Sequence, residues 1–347
     1  MNPIKTALLS YGMSGEIFHA PLLAVTPGFE LTTVLQRRSE KAKQKYPHVK
    51  VVKQFKDILE DESIELVVIN TPNDSHFEYA TQALEAEKNV IVEKPFTVTT
   101  KEASDLIALA KRKNKILTVF QNRRWDGDFI TVKKVIDNAW VGKIAEFELH
   151  YDRYRNYIEA NTWKEEQGPG SGILYNLGSH MIDQVLVLFG MPIEVDARVG
   201  IQRPGGKVED FYDIRMQYQD FSAIVKSSYL VREATPRYIL HGTEGSFIKY
   251  GIDPQEQALK DGKIPGSAGW GSESKEWWGK LNTTLDHLHI DGQVETIPGD
   301  YRQFYKSVYE SIRNGKPLAV MPEESRNVIK IIEACYQSNK EHKAIKI

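Results

Sequence analysis

The sequence predicts an α/β domain built on a doubly wound parallel sheet, followed by an α+β domain with a large, mostly antiparallel open sheet. Three observations lead there. Short apolar runs alternate with helical stretches through the first third of the chain. The turn after the first apolar run, Ser10-Tyr11-Gly12-Met13-Ser14-Gly15, nearly completes the G-x-G-x-x-G pattern of a dinucleotide-binding turn. Past residue 124 the alternation stops and a run of strands takes over.

In the first third, residues 4–9, 30–35, 51–52, 66–70, 90–93 and 116–121 read as strands, and residues 15–24, 40–45, 55–59, 76–86 and 101–111 as helices. Strands and helices in strict alternation imply a parallel sheet covered on both faces. Residues 129–138 then read as a helix, 145–151 as an alternating strand, and 172–189 as a strongly apolar helix. Strands follow at 195–201, 213–218, 223–230, 238–241 and 246–250. Residues 251–300, rich in Gly, Pro and Trp, resist assignment, and helices at 301–314 and 322–339 close the chain. The domain boundary is placed between residues 123 and 124, giving domains 1–123 and 124–347.

A length of 347 residues suits two domains, and 41% hydrophobic residues suffice for globular cores. A net charge of −2 gives no pull toward nucleic acid or an anionic membrane. No apolar run approaches the ~18 residues of a membrane span, and no N-terminal stretch has the form of a signal peptide. The single cysteine, Cys335, cannot close an internal disulfide, so a cytoplasmic setting is expected. Its apolar helical neighbours mark it as a buried hydrophobe rather than a reactive thiol.

The glycine turn carries the first chemistry. Gly12 allows the backbone to approach a pyrophosphate, and Gly15 allows strand and helix to pack closely. Ser10 stands where the first glycine is usual, and the turn alone is also compatible with an ordinary strand-to-helix connection. The end of the second strand sharpens the ligand. An NAD site places an acid there to hold the ribose hydroxyls, but this chain reads Gln36-Arg37-Arg38-Ser39. Guanidinium forks suit a 2′-phosphate, so NADP is expected over NAD, with Arg37, Arg38 and Ser39 as its ligands.

Other polar groups end apolar strands. Glu93 and Lys94 follow Val90-Ile91-Val92 at the edge where open parallel sheets bind ligands. Lys94 is placed to donate a hydrogen bond to a substrate oxygen. Pro95 fixes the turn and favours a cis bond more than other residues do. Thr71, Pro72, Asn73 and His76 close the fourth strand, and Arg124 and Trp125 belong to the polar segment that ends the sixth. In the apolar helix, Asn176, His180 and Asp183 stand at i, i+4 and i+7 and form one polar stripe. Buried polar groups need partners, so the stripe is expected to line a pocket with His180 as acid/base. His287 and His289 are expected to face one way on a strand. Trp270, Trp277 and Trp278 suit either stacking on a sugar-like ring or packing. No convergent set of ligands points to a metal.

Together these residues resemble the glucose–fructose oxidoreductase / inositol dehydrogenase (Gfo/Idh/MocA) family over essentially the whole chain. The anchors are the turn from Ser10 to Gly15, Thr71-Pro72-Asn73 with His76, Glu93-Lys94-Pro95, and the stretch from Gly172 through Asp183. Tyr301-x-x-Phe304-Tyr305 and Pro322-Glu323-Glu324 match too. Within the family the chain is most similar to NADP-dependent scyllo-inositol dehydrogenases, through Phe18-His19-Ala20-Pro21-Leu22, Asn122-Arg123-Arg124-Trp125-Asp126 and Ser246-Phe247-Ile248-Lys249-Tyr250-Gly251.

The resemblance implies an N-terminal NADP-binding Rossmann domain and a C-terminal substrate-binding and oligomerisation domain. It implies that Lys94 polarises the reacting hydroxyl or ketone of a cyclic polyol or sugar and that His180 shuttles the proton. Tyr154, Arg155 and Trp163 match the substrate-side loop. Asn176 takes the place where many members carry an aspartate, and an amide cannot ionise. Homodimers or homotetramers through the C-terminal sheet are implied. The family also holds non-catalytic cofactor sensors and enzymes that cycle a tightly held cofactor, which stay as alternative readings.

Overall fold

The structure, a computed structural model, describes residues 2–160, 162 and 165–347. Its contacts divide into two compact units. The first is Met1–Trp125 with Gln255–Trp270 and Asp300–Arg326; the second is Asp126–Pro254 with Gly271–Gly299 and Asn327–Ile347. The first unit thus takes in two segments that lie beyond residue 124 in the sequence.

Six strands form the sheet of the first unit: β1 (Ile4–Leu8), β2 (Phe29–Leu35), β3 (Lys50–Val52), β4 (Leu66–Ile69), β5 (Asn89–Val92) and β6 (Leu117–Val119). Their order is β3-β2-β1-β4-β5-β6, and every pairing is parallel. All four side chains of β4 are fully buried, as a central strand covered on both faces requires. The order reverses between β1 and β4, so a crevice opens beyond their carboxyl ends.

The helical segment expected at 15–24 starts as a π-helical turn, Ser14–His19, and continues as α1 (Ala20–Val25), with Pro21 tolerated in the first turn of α1. Short helices α2 (Ala42–Lys45) and α3 (Lys56–Leu59) follow, then α4 (His76–Glu85) and α5 (Thr100–Lys113). A capping box starts α5: Thr99 Oγ1 accepts from the Glu102 N–H, and the Glu102 carboxylate accepts from the Thr99 N–H. The helices α8 (Gln255–Lys260) and α9 (Arg302–Asn314) complete the unit. Phe304, Tyr305 and Val308 of α9 enter the same core as Leu8, Val34 and Ile91.

In the second unit, nine strands run β14-β13-β12-β11-β7-β10-β9-β8-β15. They are β7 (Ile144–His150), β8 (Glu194–Gly200), β9 (Phe211–Gln217), β10 (Ser222–Ser228), β11 (Tyr238–Gly242), β12 (Gly245–Lys249), β13 (Gly279–Leu285), β14 (Leu288–Val294) and β15 (Ile345–Lys346). The pairing of β7 with β10 is parallel, and the others are antiparallel. Along β8, Val195, Ala197 and Val199 are buried while Asp196 and Arg198 are exposed, so this stretch has one core face and one open face. The helices are α6 (Gly127–Asp137), α7 (Ser179–Phe189), entered through a second π-helical turn at Leu174–Gly178, and most of α10 (Pro322–Glu341). Cys335 on α10 is buried and unpaired, and burial pushes its thiol pKa up, which keeps it inert.

The unassigned stretch 251–300 contains α8, β13 and β14. The expectation that His287 and His289 share a strand face is corrected. Asp286 and His287 form a two-residue hairpin turn, both with positive φ (48° and 66°), and only His289 lies on β14. No helix among the described residues is long and apolar enough to cross a membrane. Because the Thr99 hydroxyl caps α5, Thr99→Ala is expected to cost about 1 kcal/mol of stability, measured as a lower urea midpoint with an unchanged slope.

Candidate active site

The switch point of the first sheet is pinned by a side chain that sequence reasoning passed over. Asn70, just past β4, accepts from the Ser10 N–H through Oδ1 and donates to the Ser10 carbonyl through Nδ2, both at 2.9 Å. The amide thereby acts as a surrogate strand partner for the glycine turn. Ser10 in turn accepts from the Gly12 N–H through Oγ at 3.1 Å, so the hydroxyl in the first glycine place braces the loop. A Cβ on Gly15 would collide with the Ser10 carbonyl oxygen and the Asn70 amide. That is the close approach a dinucleotide turn demands of its third glycine.

A cleft of about 530 Å³ opens here. Ser10, Tyr11 and Gly12 line it from the turn, Gln36, Arg37, Arg38 and Ser39 from the end of β2, and Thr71 and Pro72 from the end of β4. Phe55 and Tyr79 add an aromatic wall, edge to face at 5.2 Å. Buried Gln36 shapes the basic corner by donating to Ser39 Oγ (2.8 Å) and accepting from the Ala42 N–H (2.9 Å). Arg37 donates to the Tyr79 hydroxyl at 3.1 Å. Arg38 is exposed and has no carboxylate partner among the described residues. The nearby Glu40 is engaged by Lys43 at 2.8 Å, which with Lys53 holds its carboxyl below the usual range.

Other expected residues do not line this cleft directly. Met13 is exposed on the turn, and Asn73 lies in the short 3-10 turn before α4. His76 is fully buried, with Nε2 3.0 Å from the Thr71 carbonyl oxygen and Nδ1 2.9 Å from that of Pro95. Burial lowers its pKa; this ring ties two loops together. Arg124 donates to the Ala319 carbonyl at 3.1 Å and to Glu324 at 2.8 Å, and Trp125 packs against Phe304.

At the end of β5, Glu93 is nearly buried, with 12% of its side chain exposed. Its Oε1 accepts from Ser14 Oγ in the turn and lies 3.0 Å from His19 Nε2; its Oε2 accepts from the Lys94 N–H at 3.0 Å. Burial would raise its pKa, but the hydrogen bond and charge from His19, the charge of Lys94 and the Ser14 bond prevail and hold it at about 2. A depressed carboxyl stabilises the fold above its ordinary value of 4.5 and loses that contribution as pH falls toward 2. Lys94 follows, half-buried, and its bond to Pro95 is cis.

In the second unit, His180 and Asp183 of α7 are buried, and Asn176 is half-buried on the π-helical turn ahead of them. The wider turn changes the angular step between Asn176 and His180 from that of an α-helix, a displacement common at functional sites. Tyr154 is exposed beneath the Arg232 guanidinium, which lies 4.7 Å from its ring centroid; Arg155 stands over Tyr229 at 5.8 Å. The loop holding them is anchored by Arg203, which pairs with Glu165 and Asp210, each at 2.8 Å. Trp163 lies outside the described residues. Trp270 donates to Gln255 at 3.0 Å, and Trp277 lies against Gly251 while staying exposed.

A doubly wound sheet with a braced glycine turn and a basic corner defines a nucleotide-binding oxidoreductase architecture. Comparison with known proteins agrees. Residues 4–121 match the model of an oxidoreductase family NAD-binding Rossmann fold, and residues 133–347 that of its C-terminal alpha/beta domain. The chain belongs to the Gfo/Idh/MocA oxidoreductase family, as a dehydrogenase of the kind that acts on CH–OH groups. It is 41% identical to the scyllo-inositol 2-dehydrogenase (NADP+) IolW of Bacillus subtilis, over 99% of this chain and 96% of that protein. Among solved structures, the oxidoreductase yvaA of Bacillus subtilis superposes with a TM-score of 0.97 at 40% identity, covering 100% of this chain and 99% of that one. An oxidoreductase of Bacteroides fragilis gives 0.92 at 46% identity with full coverage of both chains.

Gly15→Ala is expected to weaken dinucleotide binding by at least about tenfold, because the turn must move off the Asn70 clip. Fluorescence titration with NADPH measures it, with circular dichroism as the check on folding.

Proposed function

We propose that this chain is an NADP-dependent oxidoreductase that interconverts a hydroxyl and a ketone on a cyclic polyol or sugar of the scyllo-inositol kind. The observation that carries the cofactor choice is the exposed Arg38 guanidinium on the cleft, at the strand end where an NAD site keeps an acid. The named activity of the 41% identical relative supports the substrate class.

The residues present suit the cofactor, since the space a Cβ of Gly15 would take is already filled by the turn and the Asn70 clip. The residues from Ser10 to Gly15, with Thr71, Pro72 and Asn73, hold the pyrophosphate side, and Arg37, Arg38 and Ser39 hold the 2′-phosphate. When bound, the nicotinamide ring takes up or returns the hydride. Lys94 does the work on the substrate oxygen. Its ammonium, beside an ionised Glu93, donates a hydrogen bond and stabilises the charge that grows there. His180 removes the hydroxyl proton in oxidation and returns it in reduction. Asn176 positions substrate by hydrogen bonding, because an amide cannot relay a proton. Tyr154, Arg155 and Trp163 contribute the substrate-side loop, and the open face of the nine-stranded sheet carries a homodimer or homotetramer contact.

The test is nicotinamide absorbance on mixing the protein and NADP with a panel of inositols and sugars. Turnover is expected with at least one cyclic polyol or sugar, and Lys94→Ala or His180→Ala should each lower kcat by about 10²–10⁴-fold while the fold survives. No absorbance change with any panel member at saturating NADP contradicts the proposal.

A further inference from the structure

We propose that His19 and Tyr305 are positioning residues for Lys94, forming a buried Tyr–His–Glu chain that fixes the Glu93 carboxylate between the cofactor turn and the lysine. The inference rests on the reading that Lys94 polarises the reacting oxygen.

The geometry is continuous. Tyr305 Oη lies 2.6 Å from His19 Nδ1, His19 Nε2 lies 3.0 Å from Glu93 Oε1, and the other oxygen of Glu93 holds the Lys94 N–H. His19 and Tyr305 are fully buried. The imidazole is clamped by Phe120 at 4.3 Å between ring centroids, and Tyr305 packs on Phe304 at 5.4 Å. The ring is therefore held in one orientation.

Proton accounting fixes the side of the ring that faces Glu93. An ionised Glu93 can only accept, so the proton facing it sits on His19 Nε2. Burial first, and the charge of Glu93 second, push the Tyr305 hydroxyl pKa well above its ordinary value, so it keeps its proton. Tyr305 Oη pairs with Nδ1, and the imidazole carries a proton on Nε2 toward Glu93. Each polar atom along the chain has its partner, which is the condition for a buried polar network to rigidify its surroundings.

The position argues for more than packing. A buried carboxylate is costly, and apolar side chains of similar volume would stabilise this core at least as well. Here the carboxylate sits one residue before Lys94 and also binds Ser14 of the glycine turn. The charged and titratable groups facing it are His19 from the π-helical turn, Lys94 from its own loop, Tyr305 from α9 and His76 from α4. With His19 gone, burial acts on Glu93 against fewer opposing interactions, and its carboxyl rises. A protonated Glu93 no longer supports the Lys94 ammonium.

Two variants test this: His19→Ala, and Tyr305→Phe, which deletes one hydroxyl and keeps the ring. In His19→Ala, kcat/KM is expected to fall more steeply toward acid pH than in the wild type, as protonation of Glu93 adds to that of His180. In Tyr305→Phe, kcat is expected to fall about tenfold, as for loss of one hydrogen bond in a charged chain, with KM and NADPH affinity changed less. Independently of turnover, ¹⁵N-histidine spectra of the wild-type protein should show His19 protonated at Nε2, with its resonances moved in Tyr305→Phe. An Nδ1–H tautomer, or wild-type kcat and pH profiles in both variants of an active enzyme, overturns the inference. A wild-type protein without turnover on any polyol or sugar overturns the Lys94 reading instead, and the spectra still decide whether the chain exists.

Discussion

A carboxylate removed from water must be met by donors and positive charge, and Glu93 places that demand at the carboxyl end of β5. Each group that answers it belongs to a functional element. Ser14 comes from the glycine turn, His19 from the π-helical turn that follows, and Lys94 is the residue proposed to meet substrate. Satisfying one buried charge thus holds the loop that receives the nucleotide against the loop that carries the lysine. Asn70 adds a second constraint beside it, clipping the Ser10 backbone from the neighbouring strand end.

Both π-helical turns stand at residues proposed to position or carry the chemistry. The turn at Ser14–His19 delivers Ser14 and His19 to Glu93, and the turn at Leu174–Gly178 carries Asn176 ahead of His180. A π turn widens the helix and costs good hydrogen-bond geometry, so it persists where side-chain placement repays it. The polar stripe at i, i+4 and i+7 is regular in the sequence, but in the folded chain its first member sits on a wider turn than the other two.

The parallel sheet was legible because β4 and the Val90–Val92 stretch of β5 are apolar throughout, a pattern that only two-sided burial demands. The basic corner was legible because Arg37 and Arg38 fall at a fixed distance past the glycine turn. The hairpin of β13 and β14 was not, because β14 lies at the sheet edge with most of its side chains in solvent, so its alternation of Leu288, Ile290 and Val294 with polar residues answers to no buried face. Asn70 looked like a strand terminus, and nothing local marks its bond to Ser10. The partnership of His19 with Tyr305 spans 286 residues of sequence, a pairing that no window of local pattern contains. Likewise His76, singled out beside the cofactor turn, proved to be a buried tie between two loops rather than a cleft residue.

The basic corner at Arg37 and Arg38 carries the proposal that the first unit selects NADP. Calorimetric titration of the same protein sample with NADPH and with NADH addresses it directly. The expected result is tighter binding of NADPH by at least about tenfold, about 1.4 kcal/mol, with the gap narrowing as salt screens the Arg38 guanidinium. Equal affinities, or tighter binding of NADH, would contradict it.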